Sequence, residues 1–233
     1  MALAIKKVGV IGSGQMGNGI AHVAALGGFD VVLNDIAADR IKSALATING
    51  NLSRQVAKKT ITEEQRKQVL ARISGAERLE DLGDCDLVIE TAVEKEDVKR
   101  KIFNELCSVL QPEAIIASNT SSISITRLAA TTDRPERFIG IHFMHPVPRM
   151  ELVELIRGIA TDDATFETAK EFVARLGKQI AVSEDFPAFI VNRILLPMIN
   201  EAIYTLYEGD GNVEAIDAAM KLGAHHRSEE HTS

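Results

Sequence analysis

Gly12-Ser13-Gly14-Gln15-Met16-Gly17 follows a short apolar run and opens a helical pattern. Three glycines at this spacing suit a dinucleotide phosphate. Gly12 permits a tight turn, Gly14 lets the backbone approach a pyrophosphate, and Gly17 lets helix and strand pack closely. The first helical N–H groups, from Gln15 and Met16 onward, then face the phosphates at the positive end of the helix dipole. A second apolar run ends in Asn34-Asp35, ~20 residues on, where a carboxylate can accept hydrogen bonds from a ribose diol. The same charge repels a 2′-phosphate, so the pattern favours NAD over NADP. Further on, "GIHFMHPVPRMELVEL" holds His142 at the end of one apolar run and Glu154 on the next. A histidine near its free pKa exchanges protons at neutral pH. A buried carboxylate on one ring nitrogen would fix its tautomer and stabilise the imidazolium. Dehydrogenation of an alcohol needs a base for the hydroxyl proton and an acceptor for the hydride. His142 can supply the first and a bound nicotinamide the second.

Other polar groups stand where strands should end. Ser118-Asn119-Thr120-Ser121-Ser122 follows the apolar run Ala114–Ala117. It is either a helix-capping loop or a row of hydroxyls at the mouth of a ligand site. Glu94 and Lys99 follow another apolar run and open a helix. In an open α/β sheet ligands sit beyond the carboxyl ends of strands, but on these residues alone i,i+4 charge pairs on a solvated helix start are the better reading. His145 precedes Pro146 in a turn and reads as a structural or surface residue. His22 reads as a helix-face residue. Cys85 and Cys107 lack partners at zinc spacing, and no metal site is indicated.

The elements that must carry these residues alternate. "KKVGVIGSG", "FDVVLND", "CDLVIETAV", "EAIIASNTSS", "RFIGIHF", "ELVELIRG" and "KQIAVSE" read as strands. Helices are expected after the glycine loop, between Ile36 and Ile73 with a break at Thr60-Ile61-Thr62, over "KEDVKRKIFNELCSVL", and from Asp163 to Leu176. Thr62 with Gln65 forms a capping-box pattern. Such alternation predicts an α/β fold, a Rossmann-type, doubly wound, mostly parallel sheet covered on both faces. After Phe186-Pro187 only helices follow. The expected organisation is an NAD-binding domain over 1–184 and the start of a helical domain over 185–224. A polar tail over 225–233 lacks apolar periodicity. It reads as a non-native end that leaves the helical domain incomplete.

The whole chain has 233 residues, 45% hydrophobic and 25% charged, with a net charge of −7. That composition fits a globular protein with a full core, and the negative balance gives no general attraction for nucleic acid or anionic membrane. Two cysteines form no disulfide framework, no signal peptide or membrane span is evident, and a cytoplasmic location is expected.

The stretches "VGVIGSGQMGNGIAHVAALGGFDVVLND", "ASNTSSISIT", "GIHFMHPVP", "LVELI" and "FIVNRILLP" together resemble the short-chain 3-hydroxyacyl-CoA dehydrogenase family. The resemblance runs from residue 4 to about 224. It implies a Rossmann NAD domain, a helical C-terminal domain that forms a homodimer, and reversible oxidation of an acyl-CoA 3-hydroxyl to the ketone. By the resemblance, His142 is the general base and Glu154 its orienting partner. Ser121 and Asn192 hydrogen-bond the substrate oxygens, Asp35, Glu94, Lys99 and Ser121 contact NAD, and Lys59 meets the CoA phosphates. His145 stands near the nicotinamide where the family usually carries Asn. Two other classes fit parts of the pattern: a 3-hydroxyacid dehydrogenase of the 6-phosphogluconate type, and a non-catalytic relative such as the lens crystallins of the superfamily.

Overall fold

The computed structural model describes residues 3–226. The expected non-native tail therefore lies outside the described residues from position 227 on. The chain divides into two compact units, Met1–Phe189 and Ile190–Ser233.

The first unit is built on one eight-stranded sheet. Its elements run β1 (Lys7–Ile11), α1 (Gln15–Leu26), β2 (Asp30–Asn34), α2 (Ala38–Ala57), α3 (Glu63–Ala71), β3 (Ile73–Ala76), β4 (Leu87–Glu90), α4 (Glu96–Val109), β5 (Ile115–Ser118), α5 (Ile125–Ala129), β6 (Phe138–Phe143), β7 (Leu152–Arg157), α6 (Asp163–Arg175) and β8 (Gln179–Glu184). The strand order is β3-β2-β1-β4-β5-β6-β7-β8. The first six strands are parallel, and β4, β5 and β6 read as unbroken buried runs because helices cover both faces. The order reverses between β1 and β4, which opens the crevice where such sheets bind ligands.

The sequence pattern did not reveal two features. Residues 73–76 form the edge strand β3, which was not among the expected strands; the helical segment was expected to run as far as Ile73. Gly75 and the exposed Ser74 give that segment little strand character of its own, and pairing with β2 supplies it. The step from β6 to β7 is antiparallel. Residues 144–151 contain no helix, and a parallel return would need a crossover of a dozen residues or more. The predicted capping box is present: Gln65 N–H donates to Thr62 Oγ1 at 3.1 Å, and Thr62 N–H donates to Gln65 Oε1 at 2.8 Å.

The apolar core lies on both faces of the sheet. One face packs Ile20, Ala24, Ile48, Leu52, Phe172 and Val173 against β1, β2 and β6. The other packs Phe103, Leu106, Ile125 and Leu128 against β4 and β5. His22 on α1 is fully buried, and neither ring nitrogen has a hydrogen-bond partner among the described residues. Burial pushes its pKa from 6.5 down to about 4, with Gln55 opposing and the Lys178 charge adding to the depression. A histidine held neutral in the fold binds its proton more readily when unfolded. Stability is therefore lost as pH falls from about 6.5 towards 4, by about 3 kcal/mol. Denaturant unfolding at pH 7 and pH 4 should show this loss in the parent chain and not in His22→Leu.

The second unit contains α7 (Val191–Tyr207) and α8 (Val213–Ala218). None of their residues is buried, and Ile194, Leu196, Ile199, Ile203 and Tyr207 are exposed.

Candidate active site

Five loops converge at the carboxyl edge of the parallel strands. The first is the glycine turn. Gly12 has φ +92°, and its N–H donates to the Asn34 carbonyl at 2.8 Å. A Cβ on Gly17 would lie 1.7 Å from the Gly12 carbonyl oxygen, so only glycine lets α1 start this close to β1. A Cβ on Gly14 would meet nothing within 4 Å. That open space lies at the exposed start of α1, beside Gln15 and the partly buried Met16, and α1 has no side-chain cap on its N-terminal N–H groups. Unsatisfied helix N–H groups beside an open cradle fit a pyrophosphate.

Asp35, just beyond β2, is 7% exposed. Its Oδ2 accepts from Ser13 N–H at 2.9 Å and from Ser13 Oγ at 2.8 Å. Oδ1 has one long contact, from Ala37 N–H at 3.3 Å. The carboxylate thus braces the glycine turn through one oxygen and keeps acceptor capacity on the other, as a ribose diol requires.

The serine-rich stretch is both a structural loop and a row of directed hydroxyls. Ser118 Oγ donates to Glu90 Oε2 at 2.8 Å. Asn119 Oδ1 accepts from Phe143 N–H at 2.9 Å, which ties this loop to the end of β6. Thr120 Oγ1, Ser121 N–H, Ser121 Oγ and Ser122 Oγ all donate to Glu94 Oε1, at 2.5, 2.8, 3.2 and 3.2 Å. Burial raises the Glu94 carboxyl, but the Thr120 hydrogen bond, the Lys99 charge and the Ser121 N–H together hold it below the ordinary range. Lys99 was expected on the cofactor surface. It is 1% exposed, and its ammonium is enclosed by Glu90 Oε1 at 2.8 Å, Glu90 Oε2 at 3.0 Å and Glu94 Oε2 at 3.3 Å. The sequence reading passed over Glu90. Its signal was a carboxylate at the end of an otherwise apolar strand, a placement that demands a buried partner.

His142 and Glu154 are brought together by strand register. They are directly opposed in the β6–β7 pair, and cross-strand neighbours share a face. His142 Nδ1 lies 2.7 Å from Glu154 Oε2, with Glu154 fully buried and His142 6% exposed. The other ring nitrogen, Nε2, is the one left to meet a reacting group. Phe189 packs a tilted ring against the imidazole, 5.7 Å between centroids. Ala188 and Phe189 both take left-handed backbone, φ +66° and +55°, to bring it there. Phe189 opens the stretch "FIVNRILLP", but its contact with His142 carried no sequence signal, because it depends on that backbone bend. His145 is exposed in the β6–β7 loop. Asn192 stands in the first turn of α7, in the second unit.

A groove of about 650 Å³ runs along the end of α2. Arg54, Gln55, Lys58, Thr60, Pro148 and Arg149 are among its lining residues. Lys59 takes left-handed backbone, φ +58°, at the turn after α2. Lys58, rather than Lys59, is on the groove wall, joined by Arg54 and Arg149, which the sequence reading did not single out.

A Rossmann crevice with a glycine turn, a carboxylate just beyond β2 and a histidine–carboxylate pair is the site of a nicotinamide-dependent oxidoreductase. Comparison with known proteins gives the family. Residues 7–186 match the model described as 3-hydroxyacyl-CoA dehydrogenase, NAD binding domain, and residues 189–228 match the corresponding C-terminal domain. The chain is 83% identical over 226 residues to a 3-hydroxybutyryl-CoA dehydrogenase of Bradyrhizobium diazoefficiens, covering 97% of this chain and 77% of the relative. It is 42% identical over 227 residues to the rat mitochondrial hydroxyacyl-coenzyme A dehydrogenase, covering 94% of this chain and 72% of the relative. The crystal structure of (S)-3-hydroxybutyryl-CoA dehydrogenase from Ralstonia eutropha superposes with a TM-score of 0.94 at 47% identity, covering 96% of this chain and 79% of that one. The chain belongs to the 3-hydroxyacyl-CoA dehydrogenase family and carries its NAD-binding domain.

Proposed function

We propose that the chain oxidises the 3-hydroxyl of a short-chain (S)-3-hydroxyacyl-CoA, such as 3-hydroxybutyryl-CoA, to the ketone, reversibly and with NAD. The 2.7 Å His142–Glu154 pair at the mouth of a dinucleotide crevice carries this reading. His142 Nε2 takes the hydroxyl proton, while Glu154 holds Nδ1–H, sets the tautomer and offsets the charge that develops on the ring. NAD, when bound, accepts the hydride. The glycine turn and the start of α1 hold its phosphates, Asp35 its ribose, and Glu94 with Ser121 the region near the reacting carbon. Ser121 hydrogen-bonds a substrate oxygen, with His145 beside the nicotinamide. Lys99 acts on the cofactor side through Glu94.

The basic groove takes the CoA phosphates. Replacing Arg54 and Lys58 together by alanine should raise KM for the acyl-CoA about tenfold, the equivalent of ~1.4 kcal/mol of binding, with kcat within twofold. A fall in kcat at unchanged KM would place the phosphates elsewhere. The exposed apolar side of α7 supports a homodimer in which a second copy covers it. Among the described residues no helix is long and apolar enough to cross a membrane, and we assign the enzyme to the cytoplasm.

Incubation with (S)-3-hydroxybutyryl-CoA and NAD, followed by chromatography, tests the reaction. Acetoacetyl-CoA and NADH should form in equal amounts. Turnover with NADP at a comparable kcat/KM would contradict the part given to Asp35.

A further inference from the structure

Glu90 ends β4 beneath the crevice and is fully buried. Three donor groups make four hydrogen bonds to its carboxylate. Oε1 accepts from Ala92 N–H at 2.6 Å and Lys99 Nζ at 2.8 Å. Oε2 accepts from Ser118 Oγ at 2.8 Å and Lys99 Nζ at 3.0 Å. Lys99 Nζ also donates to the Ala92 carbonyl at 3.3 Å, and its remaining carboxylate partner is Glu94. One buried ammonium thus stands between two carboxylates from the same loop region. One of them, Glu90, is sealed in, and the other, Glu94, gathers the hydroxyls of residues 120–122.

A buried ion pair adds little to stability that a well-packed apolar pair could not supply. What it adds is a fixed position. Glu90 joins β4, α4 and β5 through named atoms; of the three charged side chains Glu90 and Lys99 are buried, whereas Glu94 reaches the surface. We propose that Glu90 is a positioning residue for the reaction. By holding Lys99 and Ser118 it sets the distance between Lys99 and Glu94, and thereby the placement of Glu94 and Ser121 beside the cofactor. The proposal rests on the dehydrogenase reading given above. Without the Glu90 charge, Lys99 keeps Glu94 as its carboxylate partner. The 3.3 Å contact then tightens, and Glu94 is drawn off the donors of the 120–122 loop.

Four variants test this: Glu90→Gln, Glu94→Gln, the double Glu90→Gln/Glu94→Gln, and Glu90→Gln/Lys99→Met. In the last the buried pair is replaced by neutral groups of similar size, which keeps a folded protein available if Glu90→Gln alone fails to fold. NADH affinity by fluorescence titration and kcat/KM with acetoacetyl-CoA are read alongside Tm. Glu90→Gln should lower kcat/KM about tenfold or more and weaken NADH binding. The Glu90→Gln/Glu94→Gln double should be no worse than Glu94→Gln within about twofold, because Glu90 acts through Glu94. Glu90→Gln/Lys99→Met should recover Tm but not kcat/KM. A Glu90→Gln/Lys99→Met protein with near-parental NADH affinity and kcat/KM overturns the proposal, and so do Glu90 and Glu94 effects that multiply. A parent chain that binds NADH but does not turn over acetoacetyl-CoA overturns the dehydrogenase reading instead. The NADH affinities of the variants then still decide the role of Glu90.

Discussion

His142→Gln is expected to lower kcat by ~10²- to 10⁴-fold while NADH still binds with an affinity within about twofold of the parent chain. Glutamine occupies similar space and can hydrogen-bond Glu154, but it cannot take a proton from an alcohol at neutral pH. The histidine sits on β6, whereas the positions proposed for the phosphates and ribose lie at the ends of β1 and β2. Cofactor affinity should therefore be untouched. Stopped-flow absorbance on the folded variant measures the hydride step, and fluorescence titration measures binding. A folded His142→Gln protein with kcat within tenfold of the parent would remove His142 from the chemistry.

Glu154→Gln should be the next most damaging change, lowering kcat by ~10²-fold or more. The side chain is fully buried against His142. The amide keeps the shape of the carboxylate, so the sheet register and the core around Leu155 and Val153 should hold. What it loses is the negative charge that offsets the protonated ring, and its NH₂ can face Nδ1 with the wrong polarity. The loss should appear in kcat, with KM for NAD unchanged. A variant that loses NAD affinity and keeps kcat would assign Glu154 to the cofactor instead.

Much of this site was legible because its chemistry is tied to local patterns. The glycine turn could be read from Gly12, Gly14 and Gly17 since the constraint on each is backbone geometry within one turn; the 1.7 Å approach at Gly17 is that constraint in atomic form. His142 and Glu154 could be paired from their chemistry. Their contact depends on β6 and β7 running antiparallel in one register, a non-local property that periodicity does not encode. Glu94 and Lys99 were visible as charges. Which one faces the crevice was decided by Glu90, whose buried carboxylate binds Lys99 inside the fold. The short strand β3 and the ring of Phe189 on His142 were illegible for a similar reason. One is imposed by pairing with β2, the other by two left-handed residues before α7.

Substrate comparison tests the central claim most directly. NADH oxidation by the parent chain is followed with acetoacetyl-CoA and, separately, with free acetoacetate. If the crevice, the His142–Glu154 pair and the groove of Arg54, Lys58 and Arg149 serve one acyl-CoA, kcat/KM for acetoacetyl-CoA should exceed that for acetoacetate by at least ~100-fold, since the CoA phosphates and pantetheine supply binding that the free acid lacks. Equal rates with the two compounds, or turnover of acetoacetate alone, would contradict the account and favour a dehydrogenase of free 3-hydroxyacids.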